Sequence, residues 1–380
     1  MQLKSKLPEV GTTIFTVMSQ LAAKYDAINL SQGFPDYECS PELVELVNHY
    51  MKSGYNQYAP MAGVFSLRER IAEKQEKLHL AKYNPETEIT ITAGGTQAIF
   101  SSIACVIRSG DEVIVFEPAY DSYIPAVTLF GGVVRSLELS APDYTINWEN
   151  VRAMINEKTR MIIINTPNNP TAKTLLEEDM LQLIRLTRNS NILIISDEVY
   201  EHLVYDGRKH LSVSDYPELM ERSFITASFG KLLHTTGWKV GYCLAPEWLM
   251  KEFRKVHQFE VFSVNSAVQY AISDHLLNEH NYLKISDFFQ IKKNYFLNLM
   301  NETRFDLLPC YGSYFQSVQY SRISDENDSD LAMRIIKDFG VACIPVSAFY
   351  RKGTDQKVLR FCFAKKQETL EKAVFRLTKI

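Results

Sequence analysis

What the 380-residue chain has little of narrows its function first. It carries only six cysteines, Cys39, Cys105, Cys243, Cys310, Cys343 and Cys362, with no CxxC pair among them. That pattern argues against a zinc or dithiol motif and reads as the reduced thiols of a cytoplasmic protein. Cys105, Cys243, Cys343 and Cys362 sit in apolar surroundings and are expected as small core residues. The eight histidines lack metal-ligand spacing. His275 and His280, five apart on an expected helix, do not share a face, so no metal is expected. The formal net charge is only -4, which leaves no electrostatic footprint for nucleic acid. No apolar run is long enough to span a bilayer. Met1-Gln2-Leu3-Lys4-Ser5-Lys6-Leu7-Pro8 lacks an apolar core of signal-peptide length. Repeats, low-complexity tracts and linker-like stretches are missing too.

The balance that remains, 46% hydrophobic and 23% charged, suits a large core and two domains. Residues 1–27 read as an arm and a short helix. Residues 27–32 look strand-like before the turn Gly33-Phe34-Pro35-Asp36. Helices are expected over 41–53 and 64–78. Strands are then expected at 88–92, 112–116, 132–137, 160–165, 191–196, 223–227 and 240–245. Helices separate them, one opened by Gly94-Gly95-Thr96 and another over 177–187. Apolar strands alternating with helices predict an α/β fold, with a mostly parallel seven-stranded sheet covered on both faces. From about 247 the pattern changes to long amphipathic helices, at 247–257, 267–277 and 281–300. Shorter strands and helices follow Pro309. We expect a large domain over 37–280 and a smaller α+β domain from 1–36 and 281–380. Ligands of such sheets bind beyond the strand ends, where the chemically marked residues fall.

The strongest mark is Ser228-Phe229-Gly230-Lys231, followed by Gly237-Trp238-Lys239-Val240-Gly241. A lysine with a serine three before it and a cation eight after it suits a phosphorylated carbonyl cofactor. One amine makes the covalent bond, while the hydroxyl and the second amine hold the phosphate. A solvated loop lysine is the plainer alternative. Gly94-Gly95-Thr96 offers a phosphate bare N–H groups, a positive helix end and the Thr96 hydroxyl, though a tight turn explains it equally. Asp197 follows a buried strand, as a helix cap or as partner to a buried cation such as a protonated ring nitrogen. Tyr200 lies within reach of the same ring. Asn169 reads as a turn residue or as a donor to a phenolate oxygen. Tyr120 suits either the core or the face of a flat ring. Arg360, inside an apolar run, is costly unless paired with an internal acid or a substrate carboxylate.

Together these stretches resemble the fold-type I, pyridoxal 5′-phosphate (PLP)-dependent aminotransferases of class I/II. The pattern is most similar to the methionine, kynurenine and glutamine–phenylpyruvate aminotransferase group. The motifs run from Asn29-Leu30-Ser31-Gln32-Gly33-Phe34-Pro35-Asp36 through Asn56-Gln57-Tyr58, Glu117-Pro118-Ala119-Tyr120, Asn168-Asn169-Pro170-Thr171 and Ser196-Asp197-Glu198-Val199-Tyr200 to Leu359-Arg360-Phe361-Cys362-Phe363. The resemblance implies an enzyme passing the amine of an L-amino acid to a 2-oxo acid. It implies that Lys231 bonds the cofactor and shuttles the substrate α-proton, and that Asp197 pairs with the pyridine nitrogen. Tyr200 and Asn169 would hold the phenolate oxygen, and Tyr120 would stack on the ring. Gly94, Gly95, Thr96, Ser228 and Lys239 would bind the phosphate. Tyr58 would reach across an obligate homodimer with shared active sites. Gly33, Asn169 and Arg360 would take the substrate carboxylate, with Ile14, Phe15, Phe34 and Tyr120 forming an apolar or aromatic side-chain pocket. No second arginine is placed for a side-chain carboxylate, so aspartate is not the expected substrate. A C–S β-lyase would share every cofactor contact and is the alternative activity. A cofactor-binding regulator would add a DNA-binding module, for which there is no room before Ile28. Two departures stand out. Ala172 replaces the family's usual glycine and is expected to cost little. Val346 replaces a common glycine and is expected to reshape the substrate side.

Overall fold

A computed structural model describes residues 4–380; the first three residues of the expected arm lie outside the described residues. The chain opens with helix Ile14–Lys24 and a two-residue strand, β1 (Ile28–Asn29). Seven strands follow: β2 (Ile89–Thr92), β3 (Glu112–Glu117), β4 (Val133–Glu138), β5 (Thr159–Asn165), β6 (Leu193–Asp197), β7 (Ser223–Ser228) and β8 (Gly241–Leu244). They form one sheet in the order β2-β8-β7-β6-β5-β3-β4, parallel except for β8. The connection 229–240 contains no helix long enough for a crossover, so β8 returns antiparallel to β7.

Successive side chains point to opposite faces. Ile114, Ile162, Ile194 and Ile225 enter one core, while Val113, Val115, Ile163 and Ile195 enter the other. Helices Phe65–His79, Glu177–Thr187 and Ser266–His275 cover the first face with Leu67, Ile71, Leu183 and Ile272. Helices Gly95–Val106 and Glu247–Glu260 cover the second with Ile99, Ile103, Leu249 and Phe253. This double cover explains why β2, β3 and β8 are buried along their whole length.

The C-terminal third adds β9 (Asp306–Leu307), β10 (Phe315–Gln319), β11 (Val341–Ala342), β12 (Ile344–Pro345) and β13 (Val358–Cys362). An antiparallel sheet runs β12-β13-β10-β9, and β11 pairs in parallel with β1, Ile28 opposite Val341. The N-terminal arm is thereby tied to the C-terminal third. Their common core holds Met18, Leu30, Phe296, Phe315, Ile335 and Phe361, and also takes Tyr200, Leu203 and Tyr205 from the segment after β6.

Helices Tyr123–Leu129 and Trp148–Met154 have no counterpart in the sequence reading, being too short to show a helical period. The single helix expected over 281–300 is two, His280–Leu283 and Ile285–Met300, separated at Lys284. Ala172 corrects another expectation. It is fully buried with φ +60, a left-handed backbone that costs an L-residue about 1–2 kcal/mol. Ala172→Gly is therefore expected to stabilise the chain by up to about 1 kcal/mol, after glycine's own entropy loss, readable as a raised urea midpoint. Among the described residues, no helix is long and apolar enough to cross a membrane.

Candidate active site

Strands β5, β6 and β7 end in step: Asn165 lies opposite Asp197, and Asp197 opposite Thr226. Their ends open into a cavity of about 320 Å³. Phe15, Gly33, Gly95, Thr96, Tyr120, Asn169, Asp197, Tyr200, Ser228, Lys231 and Lys239 all line it. Residues spread over most of the sequence therefore meet in one place. Lys231 and Asp197 share one cavity.

Lys231 sits in the single helical turn Phe229–Leu232, directly after β7. Its Nζ donates to the Gly33 carbonyl at 3.1 Å and to the Tyr314 hydroxyl at 2.9 Å. Tyr314 in turn donates to the same Gly33 carbonyl. Burial pulls the amine down from its ordinary 10.5 to about 8, and the neighbouring charges of Lys239 and Arg360 push the same way. Asp197 is the last residue of β6 and is 2% exposed. One carboxylate oxygen accepts from the Tyr123 hydroxyl and the other from the Val199 N–H at 3.3 Å. Burial raises this carboxyl from 3.8 to about 6, against the lowering effect of those two bonds. Burial keeps the phenols of Tyr200 and Tyr120 neutral by raising both.

One end of the cavity is built for an anion. Helix Gly95–Val106 starts at Gly94 with no side-chain cap, so its first N–H groups lack a local partner. Gly94 has φ +80, and a Cβ there would stand 3.2 Å from the Lys239 Nζ. A Cβ on Gly95 would stand 2.8 Å from Val199. Only glycines let the helix end and the Lys239 amine come this close. Ser228 closes β7 beside them, and the Thr96 hydroxyl lies 3.2 Å from that of Tyr120.

A buried cation, Arg360, stands behind the lining residues Asn169 and Phe315 without lining the cavity itself. Arg360, on β13, is fully buried beneath the cavity lining. It donates to Asn169 Oδ1 at 2.6 Å and to the Ser31 carbonyl at 2.8 Å, and stacks 3.9 Å from the Phe315 centroid. Its Nε has no partner among the described residues. Both bonds go to neutral oxygens, so an internal ion pair does not account for this charge. Burial lowers Arg360 to about 10, which leaves it cationic at neutral pH. Because Asn169 Oδ1 is engaged by Arg360, the amide NH₂ is its remaining side-chain donor.

Other expected residues stand elsewhere. Ile14 packs against the C-terminal core, and Phe34 lies under Lys365 Nζ at 4.6 Å; neither lines the cavity. Tyr58 is 83% exposed, edge-on to Phe262. Val346 packs with Tyr144, Tyr350 and Val358, away from the lining, so its expected effect on the substrate side is corrected.

Several lining or supporting residues are not among the expected site residues: Gln32, Asn165, Thr236, Tyr314 and Phe315. Tyr314 reaches Lys231 only because β10 pairs with β13, a long-range event. Tyr123 left one local clue, its place three residues after Tyr120. Tyr314→Phe should remove an acceptor of the charged amine. The Lys231 pKa is then expected to fall by roughly one unit more. The pH dependence of its labelling by an amine reagent in the apoprotein measures this.

The chain was compared with known proteins. The family model described as aminotransferase class I and II matches residues 25–377. The methionine aminotransferase of Escherichia coli K12 is 45% identical, over 99% of this chain and 98% of its own length. A kynurenine–oxoglutarate transaminase of Dictyostelium discoideum is 30% identical, over 97% and 94% of the two chains. A solved structure described as an Escherichia coli protein with a methionine aminotransferase function superposes with a TM-score of 0.98 at 45% identity, covering 100% of both chains.

Proposed function

The chain belongs to the aminotransferases of class I and II, and from that premise we propose that it moves the amine of an L-amino acid with a sulphur-containing, apolar or aromatic side chain to a 2-oxo acid. The observation that carries this reading is the Lys231 amine sharing one cavity with the buried acid Asp197. Methionine leads the candidate donors because of the 45% identical relative, with kynurenine and aromatic amino acids next.

The donor set fits PLP. The uncapped helix end, Thr96, Ser228 and Lys239 offer hydrogen bonds and positive charge to a phosphate. Asp197 would face the pyridine nitrogen, Asn169 and Tyr200 the phenolate oxygen, and Tyr120 the ring. PLP bound there would supply an aldehyde carbon that bonds an amine and a cationic ring that draws electrons from the substrate α-carbon.

The chain's own residues do the remaining work. Arg360 orients the substrate by its carboxylate, helped by Asn169 and the Gly33 backbone. Lys231 Nζ, with its proton affinity lowered by burial, takes the α-proton and later returns it. Asp197, sheltered from water, keeps its charge opposed to a cation. Phe15 and Phe315 exclude solvent from the proton's path.

Mixing the PLP-loaded protein with L-methionine should bleach its visible absorption in one turnover. A 2-oxo acid should restore it. With a cysteine S-conjugate in place of methionine, continuous release of thiol, ammonia and pyruvate without any acceptor would instead identify a β-lyase. Arg360→Met is expected to raise KM for the amino acid by roughly 10²-fold, since a buried charge loses its partner. A KM within threefold of wild type would contradict the assignment.

The exposed apolar cluster of Tyr58, Phe259 (88% exposed) and Phe262 supports a homodimer with shared sites. Phe259→Glu is expected to halve the mass seen by light scattering. The separate cores support reading 37–280 as a large domain, with 1–36 and 281–380 as a smaller one. Six free cysteines are consistent with a cytoplasmic setting.

A further inference from the structure

Behind Asp197 lies a second cavity, of about 250 Å³. Asn165 lines both cavities, and Tyr123 lines the second. Both residues hold Asp197: Tyr123 donates its hydroxyl to the carboxylate, and the Asn165 side-chain amide donates to the Asp197 backbone carbonyl at 2.8 Å. The cavity has an aliphatic and aromatic floor that includes Phe116, Leu139, Ile146 and Leu175.

Its lining carries two cations, Lys173 and the exposed Arg208, beside two acids, Asp143 and Asp179. Lys173 and Arg208 lie over one face-bearing ring, Tyr311, at 4.9 and 3.6 Å from its centroid. Arg208 is exposed, so water weakens the repulsion between these two like charges without removing it. The acids nearby do little to offset this. Asp143 is 3.9 Å from the Lys173 amine but 71% exposed, where water screens the pair. Asp179 accepts from the Trp148 indole and from the Leu176 N–H, both at 2.8 Å. Burial lowers the Lys173 amine, opposed by Asp143, with Arg208 adding a smaller push downward.

We propose that this cavity binds a small organic monocarboxylate with an apolar body, the carboxylate between Lys173 and Arg208 and the body on the Leu139–Ile146 side. The site is separate from the one that takes the amino acid. A ligand seated there touches the two side chains that fix Asp197.

Equilibrium dialysis of labelled 3-phenylpropionate against the PLP-loaded protein tests this. Two molecules per chain are expected for the wild type. Lys173→Met/Arg208→Met should weaken one of the two by roughly tenfold or more, as expected for lost charge-assisted bonds, and leave the other unchanged. Ile146→Trp, which fills the floor and keeps both cations, should remove the same site. An unchanged visible absorption shows that each variant is folded and loaded. One molecule per chain in the wild type, bound equally by both variants, overturns the proposal. Arg360→Met separates the two readings: it should abolish only the active-site molecule. Two molecules retained in Arg360→Met would count against the role of Arg360 while leaving the second cavity intact.

Discussion

Lys231→Ala is expected to lower amino-group transfer by roughly 10²–10⁴-fold or more and to abolish the pH-dependent visible absorption of the PLP-loaded protein. Lys239, the other amine of the lining, stands against Gly94 at the helix end, and no further lining residue is suited to act as base. The cavity contains no histidine, and burial raises the phenols of Tyr120 and Tyr200, so neither ionises near neutrality. Asp197 is a weak base engaged by Tyr123 and Val199. Lys231 alone combines reach with a proton affinity near the working pH, at about 8. In the apoprotein this gives a direct readout. An amine-selective reagent should modify Lys231 with a midpoint near pH 8, well below the ordinary 10.5. Added methylamine should restore part of the variant's rate, because the alanine leaves room for a free amine. Full activity in Lys231→Ala would end the assignment.

Asp197→Asn should act in opposite directions on rate and stability. The turnover number is expected to fall roughly 10²–10³-fold, as when a preorganised charge is removed from a site. The apoprotein, however, should become more stable. The folded state raises this carboxyl from 3.8 to about 6, mainly through burial. A group with a raised folded pKa contributes stability below its unfolded value and loses it as pH climbs through the folded one. Above pH 6 the native apoprotein therefore holds a buried anion at a cost of up to about 3 kcal/mol. Asparagine removes that cost and still accepts the Tyr123 bond. The gain should appear in urea unfolding at pH 7.5 and vanish near pH 4. An apo variant no more stable than wild type at pH 7.5 would contradict this account.

Much of the site could be read from the chain because its residues follow buried strands. Asn169, Asp197, Ser228 and Lys231 each stand just past an apolar run, and parallel strands bring such positions to one edge. The short turn of Gly94 and Gly95 was legible for the same reason. Tyr314 and Phe315 were not, since only the pairing of β10 with β13 carries them to Lys231. Phe34 and Ile14 were placed by sequence neighbourhood with Gly33 and Phe15, and side-chain direction then turned them elsewhere. Val346 stands where the family commonly has glycine, and its side chain packs with Tyr144, Tyr350 and Val358. Ala172 was misjudged because one-letter similarity to glycine hides the sign of φ.

The tie between β1 and β11 leaves Lys231 suspended between two bodies. The lysine is mounted on the large sheet, whereas Gly33 and Tyr314, which accept from its amine, are anchored with the C-terminal third. Were those bodies to swing apart, both acceptors would leave together and water would reach the amine, undoing the burial that lowers its proton affinity. Mechanical closure and acid–base readiness would then be the same event, felt first at a single nitrogen.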